Sequence, residues 1–194
     1  MQESITTPSK KSLKNIVILI SGRGSNMEVF LEAATSGALA GNIVSVISNR
    51  PDAQGITTAK NRGIATTVID HQQFATREAF DAALADEVAA NNPDIVVLAG
   101  FMRILTPVFI NRFLGKLVNI HPSLLPKYAG LHTHQRAIDA GDKEAGATVH
   151  YVTNELDGGP AILQARVNIA KTDDAQTHSL VRCLRLNTSY FLRR

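Results

Sequence analysis

Two hydrophobic patterns alternate along the chain. Short apolar, β-rich runs fall at residues 15–20, 43–48, 66–69, 94–99 and 117–120. The run Ile95-Val96-Val97-Leu98 is continuous, which is how a strand buried on both faces reads. Between these runs lie helical periods. Thr76 is placed to cap a helix whose Phe80, Leu84 and Val88 recur every four residues, and Asn91-Asn92-Pro93 stops it. A second helix is expected from about Asn26 to Gly37, and a third with Thr106 as cap and Pro107 at its first position. Residues 147–152 and 161–168 read as two late strands flanking an Asp-Gly-Gly turn. The pattern predicts an α/β fold: a Rossmann-like open, mostly parallel sheet, helices on both faces, and a late antiparallel hairpin.

Composition narrows the class. A chain of 194 residues, 44% hydrophobic and 19% charged, suits one soluble globular domain with a core of its own. The single cysteine, Cys183, excludes a disulfide framework or a multi-cysteine metal site. No apolar run reaches the ~18 residues of a membrane helix. The polar start, dotted with Lys10, Lys11 and Lys14, lacks the apolar stretch of a secretory signal. A cytoplasmic address is therefore expected. The net charge of +3 divides unevenly: the two ends are basic and the body between them is mildly acidic. No basic stripe interleaved with aromatics appears, so small molecules rather than nucleic acid are the expected partners.

In open parallel sheets, ligands bind where strands end and helices begin. The first such loop is Ser21-Gly22-Arg23-Gly24-Ser25-Asn26. Its glycines and the helix N-terminus behind it suit a phosphate, although a plain turn capped by Asn26 explains them equally. It is no Walker loop, since no Gly-Lys-Ser/Thr follows. Met27 stands where a dinucleotide fingerprint needs its third glycine. The loop after the buried strand, Gly100-Phe101-Met102-Arg103-Ile104-Leu105, offers apolar walls for a flat heteroaromatic ring, or simply core. Asn119 and His121 stand two apart at a strand end and share a face if the strand persists. An amide donor beside an imidazole suits acyl transfer. Asp157 precedes Gly158-Gly159: it either caps the hairpin turn or is a carboxylate delivered to His121. His121, His132, His134 and His150 cluster in sequence without any zinc spacing, so no metal is expected.

Together these segments, with Asn119-Ile120-His121-Pro122-Ser123-Leu124-Leu125-Pro126-Lys127-Tyr128 and Glu155-Leu156-Asp157-Gly158-Gly159-Pro160, resemble the phosphoribosylglycinamide formyltransferase family of folate-dependent enzymes. The resemblance runs from about Lys14 to Ala175. The Asn-His-Asp trio is shared with methionyl-tRNA formyltransferase and formyltetrahydrofolate deformylase. The Gly-Ser-Asn loop and Gly130-Leu131-His132-Thr133-His134 point to the glycinamide ribonucleotide branch. The resemblance implies formyl transfer from 10-formyltetrahydrofolate to the amine of glycinamide ribonucleotide, in de novo purine biosynthesis, without a metal. Gly24, Ser25 and Asn26 would hold the substrate phosphate. Arg77, Met102, Arg103, Ile104, Leu105 and Asn119 would contact the folate. His121 would donate the proton, Asn119 would polarise the formyl oxygen, and Asp157 would raise the pKa of His121. A monomer or weak dimer is expected. The alternatives are a deformylase and a catalytically silent nucleotide- or folate-binding protein.

The organisation expected is a polar extension over residues 1–14, one formyltransferase domain over 15–175, and an atypical tail over 176–194. The family continues with a Glu-His pair and a long helix, whereas this chain ends Leu186-Asn187-Thr188-Ser189-Tyr190-Phe191-Leu192-Arg193-Arg194. The codons of that stretch, read one nucleotide out of register, can give the family's pattern. The tail is therefore expected to be the product of a frameshift near residues 177–186, which resequencing of the gene's 3′ end would test.

Overall fold

The computed structural model describes residues 13–170. The expected tail at 176–194 and most of the polar extension at 1–14 lie outside the described residues.

Seven strands form one sheet in the order β3-β2-β1-β4-β5-β6-β7. β1 (Lys14–Ile20) lies at its centre, between β2 (Gly41–Ser48) and β4 (Ile95–Leu98), parallel to both. β3 (Ala65–Val68) and β5 (Leu117–His121) extend the parallel part on either side. β6 (Glu144–Tyr151) and β7 (Ala161–Asn168) then add antiparallel to β5 and to each other. This is the mostly parallel sheet with a late hairpin that the sequence pattern predicts.

Each central strand feeds two cores at once. On β1, Val17 and Leu19 enter one cluster, with Phe80, Leu84 and Val88 of α3 (Arg77–Ala90) and Phe109 of α4 (Pro107–Ile110). The alternate residues Ile16, Ile18 and Ile20 enter the other, with Met27, Phe30 and Leu31 of α1 (Ser25–Thr35) and Ala59 of α2 (Gln54–Asn61). Successive side chains point to opposite faces of a strand, so two covered faces produce an unbroken apolar run. Each fully buried leucine or phenylalanine contributes about 1.5–3 kcal/mol. α5 (Thr133–Asp139) follows β5 and precedes β6.

The termini of the elements follow local chemistry, with three differences from expectation. The Thr76 side chain accepts from Ala79 N–H at 3.1 Å, as a cap should. Thr106 occupies the cap position of α4, but its hydroxyl has no partner among the described residues. Its backbone N–H instead donates to the buried carboxylate of Asp81. The first helix begins at Ser25, with Gly24 rather than Asn26 at the cap. α2 and α5 escape a periodicity reading because each buries only two small residues: Gly55 and Ala59 in one, Thr133 and Ala137 in the other.

Candidate active site at the carboxyl ends of the strands

The connection after β1 turns to one side of the sheet and β4 lies on the other, which opens a crevice at their carboxyl ends. Gly24, in the loop between β1 and α1, has φ 81°, a left-handed conformation that glycine adopts without steric cost. The first N–H groups of α1 have no acceptor within the helix, and the helix dipole adds positive potential there. Gly24, Ser25 and Asn26 thus meet at one helix N-terminus. Asn26 is 9% exposed, and its Oδ1 has no hydrogen-bond partner among the described residues.

The loop after β4 divides its apolar residues. Phe101 and Leu105 turn inward and join the core, while Met102 and Ile104 stand 73% and 61% exposed. Burying large apolar side chains is the default, so an exposed pair beside the crevice offers a surface for a ligand. The two arginines are engaged with this loop. Arg77 donates to the Ile104 carbonyl, and the Arg103 guanidinium lies over the Phe80 ring, 5.0 Å from its centroid. Both stiffen the wall.

The corner where β5 meets β6 gathers several buried polar side chains, His121, Thr148 and His150 among them. β5 persists through His121, so Asn119 and His121 do share a face. Antiparallel pairing sets Asn119 opposite His150. The hairpin turn carries Asp157 back over them, with φ 52° at Asp157 itself. Gly159 permits that turn: a Cβ there would lie 1.8 Å from the Tyr151 carbonyl oxygen. Asp157 Oδ2 stands 3.4 Å from His121 Nδ1, and Oδ1 stands 3.7 Å from His150 Nε2. All three side chains are at least nine-tenths buried. Asp157 Oδ2 also accepts from Gly130 N–H at 2.9 Å, so the carboxylate is fixed from two sides. On the other edge of its ring, His121 Nε2 donates to the Tyr128 carbonyl at 2.9 Å.

His150 is held neutral, chiefly by burial, which pushes its pKa below the usual histidine value of 6.5. Its Nδ1–H donates to the Tyr151 carbonyl at 2.9 Å, which leaves Nε2 as an acceptor. Asn119 Nδ2 donates to it at 3.2 Å. The Asn119 amide is thereby oriented, with a second N–H still available. Sequence reasoning placed His150 only among possible metal ligands. Its role depends on strand register, which alternation alone does not disclose. Likewise no motif signals the Tyr128 carbonyl or the Gly130 amide, since backbone groups carry no residue identity.

Among the described residues no group of three or more His, Cys, Asp and Glu side chains is placed to hold a metal ion. No described helix is long and apolar enough to cross a membrane. The arrangement can donate hydrogen bonds to an oxygen from Asn119, move a proton at His121, and bind an anion at α1.

Comparison with known proteins gives a consistent result. A family model described as formyl transferase matches residues 14–192. Phosphoribosylglycinamide formyltransferase of Escherichia coli K12 is 52% identical over 159 residues, covering 82% of this chain and 75% of that protein. The trifunctional purine biosynthetic protein adenosine-3 of Drosophila melanogaster is 46% identical over 83% of this chain and 12% of its own length. A crystal structure of phosphoribosylglycinamide formyltransferase from Brucella melitensis superposes with a TM-score of 0.87 at 44% identity, covering 93% of each chain.

Proposed function

The chain belongs to the formyl transferase family, and from that premise we propose that it moves the formyl group of 10-formyltetrahydrofolate onto the amine of glycinamide ribonucleotide, a step of purine biosynthesis. The observation that carries the reading is the convergence of Asn119, His121 and Asp157 at the end of β5.

In this reading the first turn of α1 binds the ribonucleotide phosphate through Gly24, Ser25 and Asn26. Met102 and Ile104 cover the pterin ring, and the exposed parts of Arg77 and Arg103 face the acidic end of the folate. When the amine attacks the formyl carbon, the carbonyl oxygen takes up negative charge. The free N–H of Asn119 and protonated His121 stabilise it. The bond from the formyl carbon to the folate nitrogen breaks as that nitrogen gains a proton from His121, directly or through water, and the proton released by the attacking amine passes through water back to the His121 ring. The Nε2–H held by Tyr128 O is the proton available to the folate nitrogen, so the carbonyl must yield it as substrate arrives. The Asp157 carboxylate supports the cationic ring and fixes its orientation. The partners of this reading are two small molecules, no metal is required, and the expected address is the cytoplasm.

An assay following consumption of 10-formyltetrahydrofolate tests it. Consumption that requires glycinamide ribonucleotide, with formylated ribonucleotide as product, supports transfer. Consumption without it, releasing formate, would instead reveal hydrolysis.

A further inference from the structure

The residue just ahead of the phosphate loop has a bonding pattern that the mechanism does not use. Ser21 directly follows β1 and is 5% exposed. Its one hydroxyl proton goes to Asn49 Oδ1 at 2.5 Å, and its oxygen accepts the Met102 N–H at 2.7 Å. Its own backbone N–H donates to the Gly100 carbonyl at 3.2 Å. Ser21 is thus bonded at two points to the loop over residues 100–105, while the next residue, Gly22, opens the phosphate loop. Gly22 is itself tied down, its carbonyl accepting from Gly55 N–H at 3.1 Å.

The far side of the network returns to the same loop. Asn49 is 2% exposed and meets His71, whose Nδ1 lies 2.8 Å from the Asn49 carbonyl and 3.2 Å from its side-chain nitrogen. With a proton on Nδ1 the ring donates to the carbonyl; without one it accepts from the amide, so either tautomer keeps the tie. His71 packs edge-on against Phe80 at 6.3 Å, and Arg103 of the wall loop stacks on Phe80. Ser21, Asn49, His71, Phe80 and Arg103 form a closed circuit that begins at the phosphate loop and passes through the folate wall. A buried hydroxyl needs only one partner to be satisfied. This one is shared between the two regions assigned to different substrates.

We propose that Ser21 is a positioning residue that couples the two substrate subsites. Phosphate bound at α1 fixes the Gly22–Ser21 backbone, Ser21 fixes Met102 through its N–H, and the exposed wall is then set for the pterin. Each substrate tightens the other, and the tightening is reciprocal. The proposal rests on the formyl-transfer reading, deepening it by naming how the two sites communicate.

The test is calorimetry on the full chain with tetrahydrofolate and glycinamide ribonucleotide, a pair that carries no formyl group and does not react. Each is titrated alone and with the other saturating. In the wild type each ligand improves the affinity of the other by one common factor, of about fivefold or more. Ser21→Ala leaves the Met102 N–H and Asn49 Oδ1 without their partner, and the factor falls to within about twofold of unity. The KM values rise while kcat at double saturation stays near wild type, a split that general structural damage would not give. Ser21→Cys keeps the volume with a poor hydrogen-bonding group and loses the coupling similarly; it decides the matter if Ser21→Ala fails to fold. Absence of coupling in the wild type, or full coupling in the Ser21 variants, overturns the proposal. Absence of formyl transfer by wild-type protein given both reactive substrates overturns the functional reading instead, so the two failures are separable.

Discussion

The two ends of the crevice are made of different material. At the β1–α1 end, Gly24, Ser25 and Asn26 are contiguous, and binding falls to backbone N–H groups at a helix terminus. At the β5–β6 end, Asn119, His121, His150 and Asp157 come from three separate segments and act through side chains. A backbone site depends on conformation and is largely indifferent to side-chain chemistry. A side-chain site depends on atom type and charge at fixed positions. Conservative substitutions should therefore be silent at the first and severe at the second, and substitutions that change backbone conformation the reverse.

The largest expected effect is at the side-chain end. His121→Ala removes the proton donor, and kcat should fall by about 10³-fold, within the usual range for general acid–base groups. Both ligands should still bind, as calorimetry would show. Retention of most of kcat in a folded variant would remove His121 from the mechanism. Asp157→Asn comes next. Asn serves a turn as well as Asp does, so a mere turn residue predicts wild-type behaviour. A carboxylate supporting a cationic ring predicts a loss of about 10²-fold in kcat.

Gly24→Val probes the other end. A β-branched residue at φ 81° is strained by about 1–3 kcal/mol, and its Cβ would lie 3.1 Å from Met27 Cε and Gly55 Cα. Ribonucleotide affinity should fall by about tenfold, equivalent to ~1.4 kcal/mol, while folate affinity holds. Equal losses for both ligands would mean general misfolding rather than a change confined to the loop.

The smallest effect concerns His150 and stability. Its folded-state pKa lies below the unfolded value, mainly through burial. The unfolded chain therefore takes up a proton that the folded chain refuses as pH drops below 6.5. The contribution is fully present above that pH and is lost as pH falls toward the depressed value. His150→Gln should flatten the acid side of a stability-against-pH curve measured by denaturant unfolding. An unchanged slope would mean that burial does not hold His150 neutral.

The same contrast explains what could be read from the chain. The phosphate loop is one contiguous motif behind a strongly apolar strand, so its glycines and its place in the fold were both legible. Asn119 and His121 were legible as a pair because two residues along a strand share a face. Asp157 was visible only as a turn residue with two explanations, since its contact with His121 depends on how the hairpin folds back. His150 was hidden by strand register, and Ser21 by its place in a glycine-rich loop whose evident role lay next door. Helices α2 and α5 were missed because they bury glycine, alanine and threonine, which leave no hydrophobic stripe. Thr106 and Pro107 stand where the sequence placed them, but the first-turn N–H groups of Phe109 and Ile110 go to the Thr106 carbonyl, and its hydroxyl caps nothing among the described residues.

The central claim is that the catalytic corner works as one unit, with Asp157 acting through His121. A double-mutant cycle in single-turnover formyl transfer tests it most directly. If Asp157 serves only to support the His121 ring, Asp157→Asn should cost about 10²-fold in wild-type protein and less than about twofold in the His121→Ala background. A loss near 10²-fold persisting in the absence of His121 would contradict the account and leave the two residues acting independently.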